Sequence, residues 1–120
     1  MPESTVFLCR ESDVDDETGL LVRLADRGTE LVVFHVAETY WATDRKCPHA
    51  RFPLDQGGEV RPALGLIECT MHSYAYDPRT GENVHWPEGK VKSAPLRCHE
   101  LRLHDGELHI STEALGEAAS

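Results

Sequence analysis

Residues 47–72 run CPHARFPLDQGGEVRPALGLIECTMH, opening on Cys47-Pro48-His49 and closing on Cys69-Thr70-Met71-His72. Two Cys/His pairs, one spaced by a single residue and one by two, are either four unrelated buried residues or donors to one centre. Pro48 fixes its own φ and removes a backbone donor, so Cys47 and His49 can both point inward from one stiff loop tip. The spacing of Cys69 and His72 lets a tight turn present two side chains to one point. Two such loops supply two thiolates and two imidazoles.

The rest of the chain limits what such a centre can serve. With 120 residues and 40% hydrophobic content, the chain is expected to form one domain over 1–120 with one main core and no need of disulfides. Twenty-one acids against 12 lysines and arginines give a net charge of −9, which makes nucleic acid and anionic membranes poor partners. The start, MPESTVFLCR, has neither a basic stretch nor an apolar run and does not read as a signal peptide. No apolar stretch approaches the roughly 18 residues of a membrane span. A cytoplasmic protein is therefore expected, in which four cysteines stay reduced and metal ligation is favoured over disulfides.

Periodicity predicts strands. TVFLC (5–9), GLLVRLA (19–25) and ELVVFHVA (30–37) are short, rich in β-branched residues and bounded by turn or charged residues. In ELRLHDGELHI (100–110), Leu101, Leu103, Leu108 and Ile110 alternate with polar residues around Asp105-Gly106, which predicts a two-residue hairpin with one buried face.

The segment 43–95 differs. It holds six of the seven prolines and five of the nine glycines, with only brief strand candidates in GLIECT and YAYD. So turn-rich a region reads as a loop-based site carried on a β scaffold. ESDVDDE (11–17), with five acids in seven residues, reads as an exposed loop. STEALGEAAS at the end is expected to fray or form a short helical turn.

The donor set admits a structural zinc site or a 2Fe-2S cluster in which histidines replace two cysteines on one iron. Zinc fingers usually keep like ligands in close pairs. Here each loop gives one of each, which suits two metals better: Cys47 and Cys69 on one iron, His49 and His72 on the other. A Cys/His nucleophile would leave the second pair unexplained, and no P-loop or dinucleotide fingerprint is present.

At CPHARFPL and CTMHSYAYDPRTGE the chain resembles the two cluster-binding boxes of Rieske-type ferredoxins, and its flanking strands and final hairpin are similar to that family's scaffold over roughly 5–111. The resemblance implies an all-β, Rieske-like fold of antiparallel sheets, a sandwich or partial barrel, with a small loop-rich cluster-binding subdomain at 43–95. It implies one 2Fe-2S cluster on Cys47, His49, Cys69 and His72, and an electron carrier rather than an enzyme. The partners implied are a flavin-dependent reductase and a terminal oxygenase, with the carrier a monomer.

Respiratory Rieske proteins carry a further cysteine in each box, where this chain has Phe52 and Met71, so that class is not expected. Met71-His72-Ser73 replaces the Trp-His-Gly common in dioxygenase ferredoxins and looks more like the ferredoxins of diiron monooxygenases that hydroxylate toluene or small alkenes. The alternatives are a dioxygenase ferredoxin, a nitrite reductase small subunit and, from another class, a zinc-stabilised binding module.

The resemblance also marks neighbours of the centre. Tyr76 stands where respiratory proteins have a tyrosine bonded to a cysteine sulfur, and Tyr74 replaces the accompanying serine. Trp86-Pro87 lies on a loop expected to close over the cluster, shielding sulfur and offering Trp86 as a docking surface. His49 and His72 are each expected to expose a ring edge. Cys9 and Cys98 read as buried apolar fillers, and His35, His85, His99, His104 and His109 receive no role.

Overall fold

The computed structural model describes residues 4–118. Their strands form three antiparallel sheets. The first contains β1 (Thr5–Arg10), β10 (Arg102–His104) and β11 (Glu107–Ser111), in the order β1-β11-β10. The second contains β2 (Leu20–Leu24), β3 (Thr29–Val36), β4 (Thr39–Asp44) and β9 (Cys98–Glu100), in the order β2-β3-β4-β9. The third runs in chain order through β5 (Gly58–Arg61), β6 (Leu66–Cys69), β7 (Tyr74–Tyr76) and β8 (Asn83–His85). Among the described residues the α-helices are a single turn, α1 (Leu54–Gly57), and α2 (Thr112–Ala118), with short 3-10 turns at Glu11–Asp13 and Ala25–Arg27. None is long and apolar enough to cross a membrane.

The strand β3 organises the molecule. Leu31, Val32, Val33 and Phe34 are fully buried and Val36 is 1% exposed, because side chains that alternate in direction both meet a core. Leu31 and Val33 join a cluster with Leu8, Cys9, Leu101, Leu108 and Ile110. Val32, Phe34 and Val36 join another with Leu54, Ile67, Tyr76 and both Cys47 and Cys69. One strand is thus the common wall of a scaffold core and a core that reaches the Cys/His loops. Burial of each such side chain contributes about 1.5–3 kcal/mol.

The final hairpin turns at Asp105 (φ 51°) and Gly106 (φ 77°), two consecutive left-handed residues as a type I′ turn requires. Its expected buried face is incomplete. Leu101, Leu108 and Ile110 are buried, but Leu103 is 50% exposed because β10 is an outer strand of its sheet. Leu101 lies between β9 and β10, where the chain passes from the second sheet to the first.

The acidic run is less free than its composition suggests. Asp15 accepts the Glu17 and Thr18 amides at 2.8 and 2.7 Å, and Asp16 meets His35 Nδ1 at 2.6 Å. Val14 is buried, and the Glu17 carbonyl accepts the Val60 amide at 2.7 Å. The run is a strap fastened to β3 and β5, with its carboxylates outside. In the tail, α2 buries Leu115, so the described part of that segment is docked and not frayed.

Candidate metal centre

The first loop is closed on itself before any metal is considered. The Cys47 amide donates to the Phe52 carbonyl at 2.9 Å, and the Cys47 carbonyl accepts the Ala50 and Arg51 amides at 3.3 and 2.5 Å. Arg51 takes φ 57° to complete the turn. At the loop base, Arg45 pairs with Asp55 at 2.9 Å and with Glu30 of β3 at 3.2 Å. The loop is therefore tied to the common wall.

The second loop is the β6–β7 turn. Cys69 pairs with Tyr74 across it, and Ser73 takes φ 59°. Thr70 fastens its flank, donating amide and hydroxyl to the Gly57 carbonyl at 2.9 and 2.8 Å. Phe52 and Met71, which occupy the positions of the missing cysteines, both reach the space beside Gly57.

The third loop follows β8. The buried Asn83 donates to the carbonyls of Ala75 and His85, each at 2.9 Å, and accepts the Ser93 amide at 2.9 Å. Tyr74 Oη donates to the Val91 carbonyl at 3.0 Å, and Tyr76 Oη meets Ser93 Oγ at 2.8 Å. Gly81, at φ 79°, sits so close to Leu96 that a Cβ there would strike the Leu96 carbonyl. Glycine is required at that point. Trp86 is half-buried and packs against the core, so it shields more than it displays.

These three loops bring the expected donors together. One ligand atom each from Cys47, His49 and Cys69 lies within 4.8 Å of the others. His72 adjoins the group through its Nδ1, 2.9 Å from His49 Nε2. Both thiols are fully buried, whereas His49 is half-buried and His72 exposed. Tyr74 stacks on the His49 ring at a centroid distance of 4.1 Å and an angle of 10°. His49, His72, Tyr74, Pro87 and Lys90 line an open cleft of about 270 Å³.

The surroundings are those of sulfur that carries charge. Cys47 is pulled down to about 5, first by the hydrogen bond from Cys69 and then by the Tyr76 hydroxyl, 3.3 Å away, and the His49 amide, against the cost of burial. Cys69, which shares that proton, is pushed up by the same hydrogen bond and by burial, while the Met71 and His72 amides oppose the shift. The other cysteines behave oppositely to Cys47. Burial pushes Cys9 up to about 11 and Cys98 to about 12. Two sulfurs supplied with N–H and O–H donors, beside two imidazoles, fit a mixed-ligand iron-sulfur cluster.

Comparison with known proteins agrees. Residues 4–100 match the Rieske [2Fe-2S] domain. The chain belongs to the Rieske family. Its cofactor is accordingly a 2Fe-2S cluster, and the zinc alternative falls. The Rieske relatives include ferredoxin CarAc of Metapseudomonas resinovorans, 28% identical over 88% of this chain and 92% of the relative. The biphenyl dioxygenase ferredoxin subunit of Pseudomonas sp. (strain KKS102) is 27% identical over 72% of this chain and 69% of its own length. In fold, the Sphingomonas yanoikuyae B1 ferredoxin superposes with a TM-score of 0.73 at 24% identity, covering 90% of this chain and 98% of that one. An electron carrier of the Rieske ferredoxin type is the coarse reading on which family and relatives agree.

Asn83, Ser93 and Thr70 were not legible as parts of the site. Asparagine, serine and threonine in a Gly/Pro-rich stretch read as turn formers, and nothing local distinguishes one that reaches across to another loop.

Proposed function

We propose that this protein carries one electron at a time from a flavin-dependent reductase to a terminal oxygenase, as a cytoplasmic monomer. In this reading Cys47 and Cys69 hold one iron and His49 and His72 the other, within a cluster-binding unit at 43–95 of a single domain. The observation that carries the assignment is the convergence of both Cys/His loops, with buried sulfurs inside and imidazoles toward solvent.

The bound cluster supplies a one-electron couple, which for this ligand set falls at about −150 to +300 mV. The chain's own residues do the rest. Backbone amides and the Tyr76 hydroxyl donate to sulfur, and Phe52 and Trp86 pack against the core that holds both thiols. His49 and His72, at the wet end, are the exit for the electron. In this reading the oxidation of substrate is left to the partner.

Two oxygenase classes divide the support. Met71-His72-Ser73 resembles the ferredoxins of diiron monooxygenases, whereas the relatives CarAc and the biphenyl dioxygenase subunit point to ring dioxygenases. Coupled turnover with a representative of each class, supplied with the same reductase, discriminates them.

The ligand assignment is tested by low-temperature EPR of the dithionite-reduced protein with iron and zinc quantified on the same sample. A rhombic signal with about two irons per chain is expected. A silent sample holding zinc and no iron would sink both the assignment and the electron-carrier reading.

A further inference from the structure

The charge of this chain is unevenly placed. Its three site loops, 46–52, 69–74 and 84–93, contain Lys46, Arg51, Lys90 and Lys92 against the single acid Glu88. Those loops therefore hold +3 and the remainder −12 of a total of −9. The loops that surround the two histidines thus hold a local excess of cations in a strongly acidic molecule.

The cations there are available. Lys92 is paired with Glu82 at 3.3 Å, but Lys46, Arg51 and Lys90 are exposed and make no ion pair with any described residue. Most other arginines are consumed within the scaffold, as Arg23 and Arg45 are on Glu30, Arg61 on Glu68 and Arg79 on Asp77. Arg51 follows His49 by two residues on the outer turn of the first loop, and Lys90 lines the same cleft as both imidazoles. Among them stand Met71, 55% exposed, and Val91, 81% exposed. Apolar groups amid unpaired cations are the composition of a contact surface with a charged rim.

We infer that the loop tip around His49 and His72 is a docking face for a protein partner whose own surface is acidic, with Arg51 and Lys90 as the recognising cations. The inference rests on the proposed electron exit and adds to it the chemistry of the partner. Screening acts over about 10 Å at 0.1 M salt, so a docked partner meets the unpaired cations of the loops before the acids of the scaffold. The acidic strap at 11–17 is a weaker site for a basic partner, because Asp15 and Asp16 are already engaged internally.

Two measurements on the same preparations test this. In the first, the reduced protein gives one electron to ferricyanide, which becomes ferrocyanide, and the rate is followed against ionic strength. Attraction of this trianion to the tip predicts a rate that falls by about tenfold as salt rises. The double variant Arg51→Gln/Lys90→Gln should flatten or reverse that slope, and Arg27→Gln/Arg23→Gln, equal in charge removed but placed on the scaffold, should keep it. A wild-type rate that rises with salt, as the net charge of −9 would dictate, overturns the inference, and so does an equal effect of the two double variants.

The second measurement is calorimetric binding of a 20-residue polyglutamate, with polylysine as the control. Binding of polyglutamate that is lost in Arg51→Gln/Lys90→Gln supports the docking face; binding of polylysine alone overturns it. Calorimetry needs no electron transfer, and iron content is read separately. Protein that binds polyglutamate but holds no iron keeps the docking face and refutes the electron exit, whereas iron-loaded protein that ignores the peptide does the reverse.

Discussion

Cys9 and Cys47 are the same residue in the two cores on either side of β3, and both are buried. Burial pushes Cys9 up to about 11, while Cys47 is brought down to about 5. The difference lies in what each core supplies. The scaffold core surrounds its thiol with aliphatic side chains and the nearby charge of Asp13, which favour the neutral form. The loop core gives Cys47 a hydrogen bond from Cys69, a tyrosine hydroxyl and a backbone amide, which favour its charged form, while Cys69 keeps the shared proton. Exclusion of water is common to both, and the placement of donors separates an inert thiol from one suited to bind metal.

The sharpest way to break that comparison is to remove a donor atom from one side only. Cys47→Ser should abolish the visible spectrum and iron binding, while Cys9→Ser leaves the iron at about two per chain. Metal analysis of both variants decides this, and equal loss in the two would mean that the cores are not chemically distinct.

Phe34→Ala strikes the loop core from the common wall. A cost of about 3–5 kcal/mol is expected from the cavity left by a fully buried phenyl, read as a lower denaturant midpoint with an unchanged slope. Asn83→Ala comes next, at about 1–3 kcal/mol, because two carbonyls and the Ser93 amide lose their partner in one step. Its distinctive sign is faster hydrogen exchange in 86–95 with β1 and β11 unaffected.

Tyr76→Phe removes a donor to Cys47 while keeping the ring. The midpoint potential should fall by ~tens of millivolts, since a hydrogen bond to sulfur favours the more negative, reduced state. An unchanged midpoint would show that the hydroxyl serves Ser93 alone.

The smallest effect is expected at Asp15, whose carboxyl is held below its usual range by the Thr18 and Glu17 amides. A depressed carboxyl stabilises the fold above its ordinary value of 3.8 and loses that contribution as pH falls through the depressed one. Asp15→Asn should therefore cost less than about 1 kcal/mol at pH 7, given its exposure, and nothing in strong acid. Unfolding curves of both proteins across that window check the sign.

The parts of this molecule that were legible in the sequence are those encoded locally. Alternation around Asp105-Gly106 marked the hairpin, the short β-branched stretch ELVVFHVA marked a strand, and the two Cys/His spacings marked loops that converge. What escaped depends on contacts between distant segments. Leu103 fits the alternation but lies on an outer strand. Trp86 reads either as a docking residue or as a structural tryptophan, and only its contacts show that it packs on the core. Tyr74 was marked as a substitute for a serine, whereas its ring lies on His49 and its hydroxyl holds Val91. The strap at 11–17 reads as solvent-facing from its charge, because the backbone bond to Val60 leaves no trace in the composition.

A strand that is apolar on both faces also raises a problem of alignment. Shifting β3 by one residue would exchange Leu31 and Val33 for Val32 and Phe34, greasy for greasy, so hydrophobicity alone barely opposes the slip. The polar residues near its two ends do oppose it. Glu30 is gripped by Arg23 and Arg45 at 2.8 and 3.2 Å, and His35 by Asp16 and the Tyr40 ring. These peripheral pairs act as alignment pins, and through Arg45 one of them also sets where the first Cys/His loop begins.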